Sequence, residues 1–272
     1  GGVCEPFCMM QSRIAPRVLE LYSPLCVAKF LCFDLLSFYE SVLWLDLDCC
    51  IQDSIEEIWN YGPVSLAPED PAFYEDGSPS GAGINVVGTL DGLNPDEPNF
   101  NSGVILLRNT LKHRDSIREA CFRLLETNGE ILRYPDQALF NVLVQHLQKT
   151  DPSSFQALPL RFNTHPRNPS ELYATIVHAF GAYKLWNDGL TQACYPEWQR
   201  DYRRWQNLGG SSWAGDVENT QYAGKGAFYL LQGLFQTITR SEQCLDTLSA
   251  ELTREKKMRE RLEKILERFS AS

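Results

Sequence analysis

The chain has 272 residues, a formal net charge of −10 and 43% hydrophobic residues. These values predict one sizeable core with an appendage, and they exclude general nucleic-acid binding, because no excess of cations exists to displace counterions from phosphates. No stretch approaches the roughly 20 apolar residues that a membrane-spanning helix needs, and the N-terminus lacks the basic start of a signal peptide. We therefore expect a cytoplasmic protein.

The apolar patterns alternate between helix and strand periods up to about residue 190. Helices are predicted over 24–38, 54–59, 110–126 and 135–148, and strands over 42–47, 64–67, 103–107, 158–162 and 175–179. A segment rich in Gly, Pro, Asp and Ser over 69–99 predicts a long functional or disordered loop. The pattern predicts an α/β domain with a mostly parallel sheet over 1–190, followed by a helical extension over 191–272.

Two aspartates end the apolar run 42–45, namely Asp46 and Asp48. Alternate side chains of a strand share a face, so both carboxylates are expected to point the same way and Leu47 to point back into the protein. A hard divalent cation with a bound phosphate would relieve their repulsion. The spacing by itself favours the alternative, a solvated turn at the end of a strand.

Five motifs occur in an order that resembles glycosyltransferase family 8, whose members are retaining nucleotide-sugar transferases with a GT-A fold. They are VLWLDLD (42–48), FNSGVILLRN (100–109), YPDQALFN (134–141), LPLRFN (158–163) and IVHAFGAYKLW (176–186). The last motif follows the family pattern His-x-x-Gly-x-x-Lys-Pro-Trp, with Leu185 in place of proline. Because proline fixes φ, leucine is expected to leave this turn looser. The resemblance implies a Rossmann-like mixed, mostly parallel sheet flanked by helices.

The resemblance also implies a metal site beside a diphosphate. Asp46, Asp48 and His178 would coordinate Mn²⁺, with Mg²⁺ as the alternative, and the ion would bridge the diphosphate of a UDP-sugar. Lys184 would contact the phosphates, and Gly181 would let the backbone approach them.

Four further residues are expected on the donor side of the site. Lys29 stands 17 residues before Asp46, where relatives carry an arginine, so the charge is kept but the bidentate fork is lost. Asn101 is expected to bond donor hydroxyls, with Ser102 keeping the strand entrance small. Asp70 lies near the position of a carboxylate that accepts from sugar hydroxyls in relatives.

Asp136 and Gln137 match the pair that the family places beneath the anomeric carbon, and we expect them to be catalytic. The alternative for Asp136, capping of the helix that begins near residue 135, is compatible with this role. Retention is implied by the family. Same-face attack and a covalent intermediate on Asp136 or Gln137 both remain open.

The two ends of the chain carry separate expectations. Residues 1–24 show no recognisable base-binding strand, so the nucleotide-binding strands are expected to be missing from this chain or reduced. At the other end, an apolar stripe predicts a helix over 241–269. Self-association, docking on the catalytic domain and peripheral membrane contact are the alternatives for its partner.

Three functional classes follow. The first is a retaining glycosyltransferase that moves a hexose from UDP-glucose or UDP-galactose to a hydroxyl of a glycan, a lipid-linked glycan or a protein. The second is a catalytically silent relative that acts as a binding or partner subunit. The third is a haloacid dehalogenase-type phosphohydrolase, which is disfavoured because that family has threonine or valine where this chain has Cys50.

Overall fold

The computed structural model describes residues 13–21, 24–70, 93–94, 97–132, 134–166, 168, 174–181, 184–186, 195–211, 249, 252, 253 and 256. The helices are α1 (Pro16–Leu21), α2 (Cys32–Leu35), α3 (Arg114–Asn128), α4 (Pro135–Thr150) and α5 (Pro196–Asn207). The strands are β1 (Ser41–Leu45), β2 (Cys49–Ile51), β3 (Val64–Pro68), β4 (Phe100–Arg108) and β5 (Ile176–His178). Short 3-10 helices cover Pro24–Leu31, Glu56–Asn60, Pro152–Ser154 and Leu160–Phe162.

Strand β4 is the centre of the larger sheet, with β1 on one side and β3 on the other. Both neighbours run antiparallel to it, and β2 pairs antiparallel with β5 in a second, two-stranded sheet. Parallel pairing among the described residues is limited to isolated bridges, Val64 with Phe155 and Thr164 with Val177. The predicted α/β class is confirmed. The expectation that these strands pair mostly in parallel is wrong. A continuous apolar run indicates that a strand is buried on both faces, but it does not indicate the direction of its neighbours.

The main core lies between β4 and the helices that cover it. Strand β4 is buried from its first residue to Leu107, and α4 buries most of one side, including Ala138, Leu139 and Phe140. The ring of Phe140 stacks on the ring of Phe30, with the two ring centroids 5.1 Å apart. Burial of such large apolar side chains is the dominant stabilising term, at about 1.5–3 kcal/mol each. This packing fixes the first turn of α4 beside the start of β4.

Two predicted elements differ in the structure. The strand expected over 158–162 is a 3-10 helix, Leu160–Phe162, since Pro159 lacks the N–H that a ladder needs. The helix expected over 24–38 is divided into Pro24–Leu31 and the short α2. Within the part of the chain that the structure describes, no helix is long and apolar enough to cross a membrane.

Two other predicted segments fall largely outside the described residues. Most of the 69–99 loop does so, as does most of the 241–269 helix. The four described residues of that helix are helical and exposed. The division into a domain over 1–190 and an extension over 191–272 stays a prediction.

Candidate metal and donor site

A tight turn brings the two aspartates together. Strand β1 ends at Leu45, and the N–H of Cys49 donates to the carbonyl of Asp46 at 3.1 Å, which closes a turn over 46–49. The side chain of Leu47 is 89% exposed, so the expectation that it points into the protein is wrong. The turn, rather than strand alternation, places both carboxylates on one side of the chain.

His178 completes a group of three possible metal ligands. It ends β5, opposite Cys49 of β2, so the small sheet delivers its ring to the turn. Its Nε2 lies 3.2 Å from Oδ1 of Asp48 and 3.7 Å from Oδ2 of Asp46. One ligand atom from each of the three residues lies within 4.8 Å of the other two. Two carboxylates and an imidazole nitrogen are a donor set that fits a divalent cation.

Lys184 lies on the far side of Asp48 from His178. Its Nζ donates to Oδ2 of Asp48 and, at 2.8 Å, to the carbonyl of Ala179. Burial raises the pKa of Asp48, but its contacts with His178 and Lys184 lower it more. The net pKa lies well below its ordinary value, so Asp48 is ionised in the metal-free protein at neutral pH.

Lys29 joins the metal site to the residues predicted on the donor side. It is only 2% exposed. Its Nζ lies 2.6 Å from Oδ2 of Asp136 and 3.2 Å from Oδ1 of Asp46, and it donates to the carbonyl of Ser102 at 2.9 Å. Burial lowers the pKa of Lys29, but the charges of Asp136 and Asp46 raise it above its ordinary value. The buried ammonium is therefore charged and fully paired.

The predicted catalytic pair begins helix α4. Oδ2 of Asp136 accepts from Lys29 and, at 2.9 Å, from Oγ of Ser102. The preceding Tyr134 has φ 54°, a left-handed conformation that is strained for a bulky residue. Side chains thus converge on Asp136 from the 3-10 helix 24–31 and from β4, which are distant in the sequence.

Gln137 and Asn101 are buried beside each other. Nε2 of Gln137 donates to Oε1 of Glu69 at 3.0 Å, and Oε1 of Gln137 accepts from Nδ2 of Asn101 at 3.3 Å. Oδ1 of Asn101 accepts from Nδ2 of Asn163 at 2.9 Å. The polar groups on the donor side are therefore held by one another.

The side chain of Asp70 contacts a different part of the chain from that of its neighbour Glu69. Its side chain is fully buried, Oδ2 accepts from the N–H of His165 at 2.9 Å, and Nδ2 of Asn168 donates to Oδ1 at 3.1 Å. In the structure these contacts tie Asp70 to the 165–168 segment. Its predicted role toward sugar hydroxyls stays a prediction.

The backbone conformation of the 176–186 motif explains the glycine at position 181. Gly181 has φ 77°, in the left-handed region that favours glycine. Leu185, which replaces the family's proline, is fully buried in a cluster with Val177, Ala179 and Tyr195. Packing of the Leu185 side chain therefore stabilises this turn, where the family's proline ring would restrict the backbone.

Two residues of the site were not identified from the sequence. Glu69 lies in LAPED beside Asp70, and Asn163 ends the LPLRFN motif. The motif itself was the available signal for Asn163. In the structure, Oδ1 of Asn163 lies 2.9 Å from Nδ1 of His178. Neither the residue types nor their spacing in the sequence indicates this contact.

Comparisons with known proteins identify the family of this chain. The family model "Glycosyl transferase family 8" matches residues 11–189, well over half of the chain. No curated protein matches the chain.

Three solved structures of low sequence identity are similar to the chain, and the first of them shares its fold. A galactosyltransferase LgtC complex with donor and acceptor sugar analogues is 17% identical, with a TM-score of 0.52 over 69% of this chain and 72% of that one. The bifunctional glycosyltransferase WbbM is 17% identical, with a TM-score of 0.48 over 77% of this chain and 38% of that one. GlyE of Streptococcus pneumoniae is also 17% identical, with a TM-score of 0.43 over 70% and 48%. The chain belongs to glycosyl transferase family 8, a family of glycosyltransferases, and its fold is the GT-A fold that the motifs predicted.

Proposed function

We propose that this protein is a retaining glycosyltransferase that moves a hexose from a UDP-sugar, UDP-glucose or UDP-galactose, to an acceptor hydroxyl with the help of Mn²⁺. The observation that carries the proposal is the convergence of Asp46, Asp48 and His178 within 4.8 Å. An imidazole beside two carboxylates favours Mn²⁺ over Mg²⁺, which prefers oxygen and water ligands. These three residues would hold the ion.

The neighbouring cation supports a diphosphate beside the metal. A divalent ion held by Asp46, Asp48 and His178 would supply Lewis-acid chemistry that neutralises charge on the leaving diphosphate. Lys184 already donates to Asp48, so the diphosphate of a donor bound beside a metal ion at Asp48 would lie near this ammonium, which can stabilise the same developing charge. The left-handed Gly181 has no side chain to block the approach of a phosphate to the backbone.

The bridge through Lys29 supports the placement of the sugar. Because one ammonium contacts both Asp46 and Asp136, a diphosphate at the metal would bring the anomeric carbon close to Asp136 and Gln137. There, polar groups can stabilise an oxocarbenium-like transition state. Asn101 and Ser102 line the same region. A same-face attack and a covalent intermediate on Asp136 or Gln137 use the same residues, and both are compatible with this arrangement.

The acceptor is proposed only by class, as a glycan, a lipid-linked glycan or a protein. Association through the 241–269 helix, with a second copy or with a membrane surface, stays a prediction.

Turnover of UDP-glucose and UDP-galactose with Mn²⁺, with Mg²⁺ and with a chelator tests the proposal. We expect hexose release that requires Mn²⁺ and that Asp48→Ala abolishes. Asp53→Ala, five residues further along at an exposed position, is the matched control and should retain activity. Metal-independent turnover would overturn the metal assignment. Failure of calorimetry to detect UDP binding in the presence of Mn²⁺ would favour a catalytically silent relative.

A further inference from the structure

A row of buried polar side chains runs from β3 to the candidate metal site. Each member contacts the next through hydrogen bonds of 2.9–3.3 Å. The five residues, named here the amide relay, are Glu69, Gln137, Asn101, Asn163 and His178, and all five are buried. Buried polar groups need partners, and here they satisfy one another.

Two groups that contact the amides of the relay, the carboxylate of Glu69 and the backbone N–H of Gly103, can act in only one way, and they fix the role of every amide atom. The carboxylate of Glu69 can only accept, so Gln137 must present Nε2 to it and Oε1 to Asn101. The backbone N–H of Gly103 can only donate, and at 2.8 Å it requires Oδ1 of Asn101. Both constraints orient Asn101 in the same direction.

The orientation of Asn101 fixes that of Asn163. Because Oδ1 of Asn101 accepts, Asn163 must present Nδ2 to it and Oδ1 to His178. An amide oxygen can only accept, so Nδ1 of His178 must carry a hydrogen. A metal ligand must be a neutral imidazole, which has a single N–H, so with that hydrogen on Nδ1 the lone pair of Nε2 is the one that faces Asp46 and Asp48.

We propose that Asn163 is a positioning residue for the metal site: it holds the hydrogen of His178 on Nδ1, so that Nε2 is the metal ligand, and the relay holds Asn163. The inference rests on the proposed metal role of His178. It adds a residue to that site, and it links the metal site to Gln137 of the predicted catalytic pair through Asn101. Outer-shell partners of metal-bound histidine fix the tautomer and ring orientation in this way, and their loss weakens metal binding by about 10–100-fold.

Two substitutions separate the acceptor function of Asn163 from its space-filling. Asn163→Leu removes the acceptor, so the Nδ1 hydrogen loses its partner, whereas a hydrogen on Nε2 could still bond Asp48. Asn163→Asp keeps an acceptor at Nδ1, but it loses the donation to Asn101 and adds a negative charge. The matched control is Gln145→Leu, another buried amide whose partner is the backbone of Asn94 and which is outside the relay.

Two measurements read the result. Nitrogen NMR of ¹⁵N-histidine-labelled protein, with and without Mg²⁺ as a diamagnetic ion, reports which ring nitrogen carries hydrogen. Electron paramagnetic resonance of free Mn²⁺ reports metal affinity. Neither uses a sugar donor, so normal metal binding without hexose turnover would count against the proposed function and leave this inference standing.

We expect a hydrogen on Nδ1 of His178 in the unmodified protein in both states. In Asn163→Leu the hydrogen of the neutral ring should move to Nε2, with Mn²⁺ binding weakened by about 10–100-fold. Asn163→Asp should keep the Nδ1 hydrogen and weaken binding less than about tenfold. If Asn163→Leu does not fold, the Asp variant decides.

The inference is overturned by an unprotonated Nδ1 in the unmodified protein or in Asn163→Asp. A folded Asn163→Leu with unchanged Mn²⁺ affinity overturns it too, as does equal weakening in Gln145→Leu.

Discussion

The imidazole of His178 lies directly on the backbone of Gly103. A Cβ placed on Gly103 would be 1.9 Å from Cε1 and 2.2 Å from Nδ1 of the ring. Real Cβ atoms do not approach this closely, so the ring can hold its place only because residue 103 has no side chain. The glycine of the FNSG motif therefore serves His178, which follows it in the chain by 75 positions.

Gly103→Ala should displace the His178 ring and weaken Mn²⁺ binding. The ring is buried and bonded to Asn163, so it has little space in which to move. We expect affinity to fall by about 10–100-fold, as when the partner of a metal-bound histidine is lost, and stability to fall by about 1–3 kcal/mol from overpacking. Calorimetric titration with Mn²⁺ and urea unfolding measure the two effects.

Gly62→Ala is the control for this substitution. A Cβ at Gly62 would be 3.1 Å from Cβ of Gln156, a contact that a small shift relieves. It should leave Mn²⁺ binding unchanged. Wild-type Mn²⁺ affinity in Gly103→Ala would show that the ring position does not determine metal binding.

Lys29→Met should destabilise the fold strongly. The substitution leaves Asp136 and Asp46 without their shared buried cation, and breaking such a pair costs about 3–5 kcal/mol. Adding Asp136→Asn removes one of the two unpaired charges, so the double variant should recover part of the loss. Urea unfolding of the single and double variants gives the coupling energy.

Lys112→Met is the matched control for the buried lysine. Lys112 pairs with Asp151 at 3.9 Å, and its side chain is 76% exposed. An exposed pair contributes about 0–1 kcal/mol, so this variant should unfold almost as the unmodified protein does. Equal losses at the two lysines would mean that the pairing of Lys29 contributes little.

Asp48→Asn should weaken the acid sensitivity of the metal-free protein. The folded-state pKa of Asp48 lies below its ordinary value of 3.8, because His178 and Lys184 outweigh the opposing effect of burial. A lowered pKa means that the stabilisation is complete above 3.8 and is lost as pH falls through the folded-state pKa. The unfolding free energy should therefore fall less steeply below pH 3.8 in the variant. Asp53→Asn, at an exposed position, should retain the full slope, and the same slope in Asp48→Asn would contradict the assignment.

The motifs predicted much of the site because each carries its own chemistry. Asp46, Asp48 and His178 were expected together from the order of the motifs, and the structure brings them together. The position of Leu47 could not be foreseen. The turn over 46–49 depends on the pairing of Cys49 with His178, which comes 129 residues later.

The rest of the site depends on contacts that local patterns do not encode. The run 103–107 predicted a buried strand, and β4 is buried, but strand direction is decided by neighbours distant in the sequence. The amide relay likewise joins residues as far apart as Glu69 and His178. Each is an ordinary polar side chain when the sequence is considered by itself.

Gly181→Ala should impair function beyond its effect on stability, and Gly209 supplies the comparison. Both residues have positive φ, 77° and 95°, so alanine is strained at either position by about 1–2 kcal/mol. Gly209 follows α5, and a Cβ there would meet nothing within 4 Å, so Gly209→Ala should lower stability alone. Gly181 lies between His178 and Lys184, so strain there should also disturb the proposed diphosphate site. We expect similar losses of unfolding free energy in the two variants. Calorimetric titration with UDP in the presence of Mn²⁺ should show weaker binding only in Gly181→Ala. Equal UDP affinity in the two variants would mean that Gly181 is not part of the proposed site.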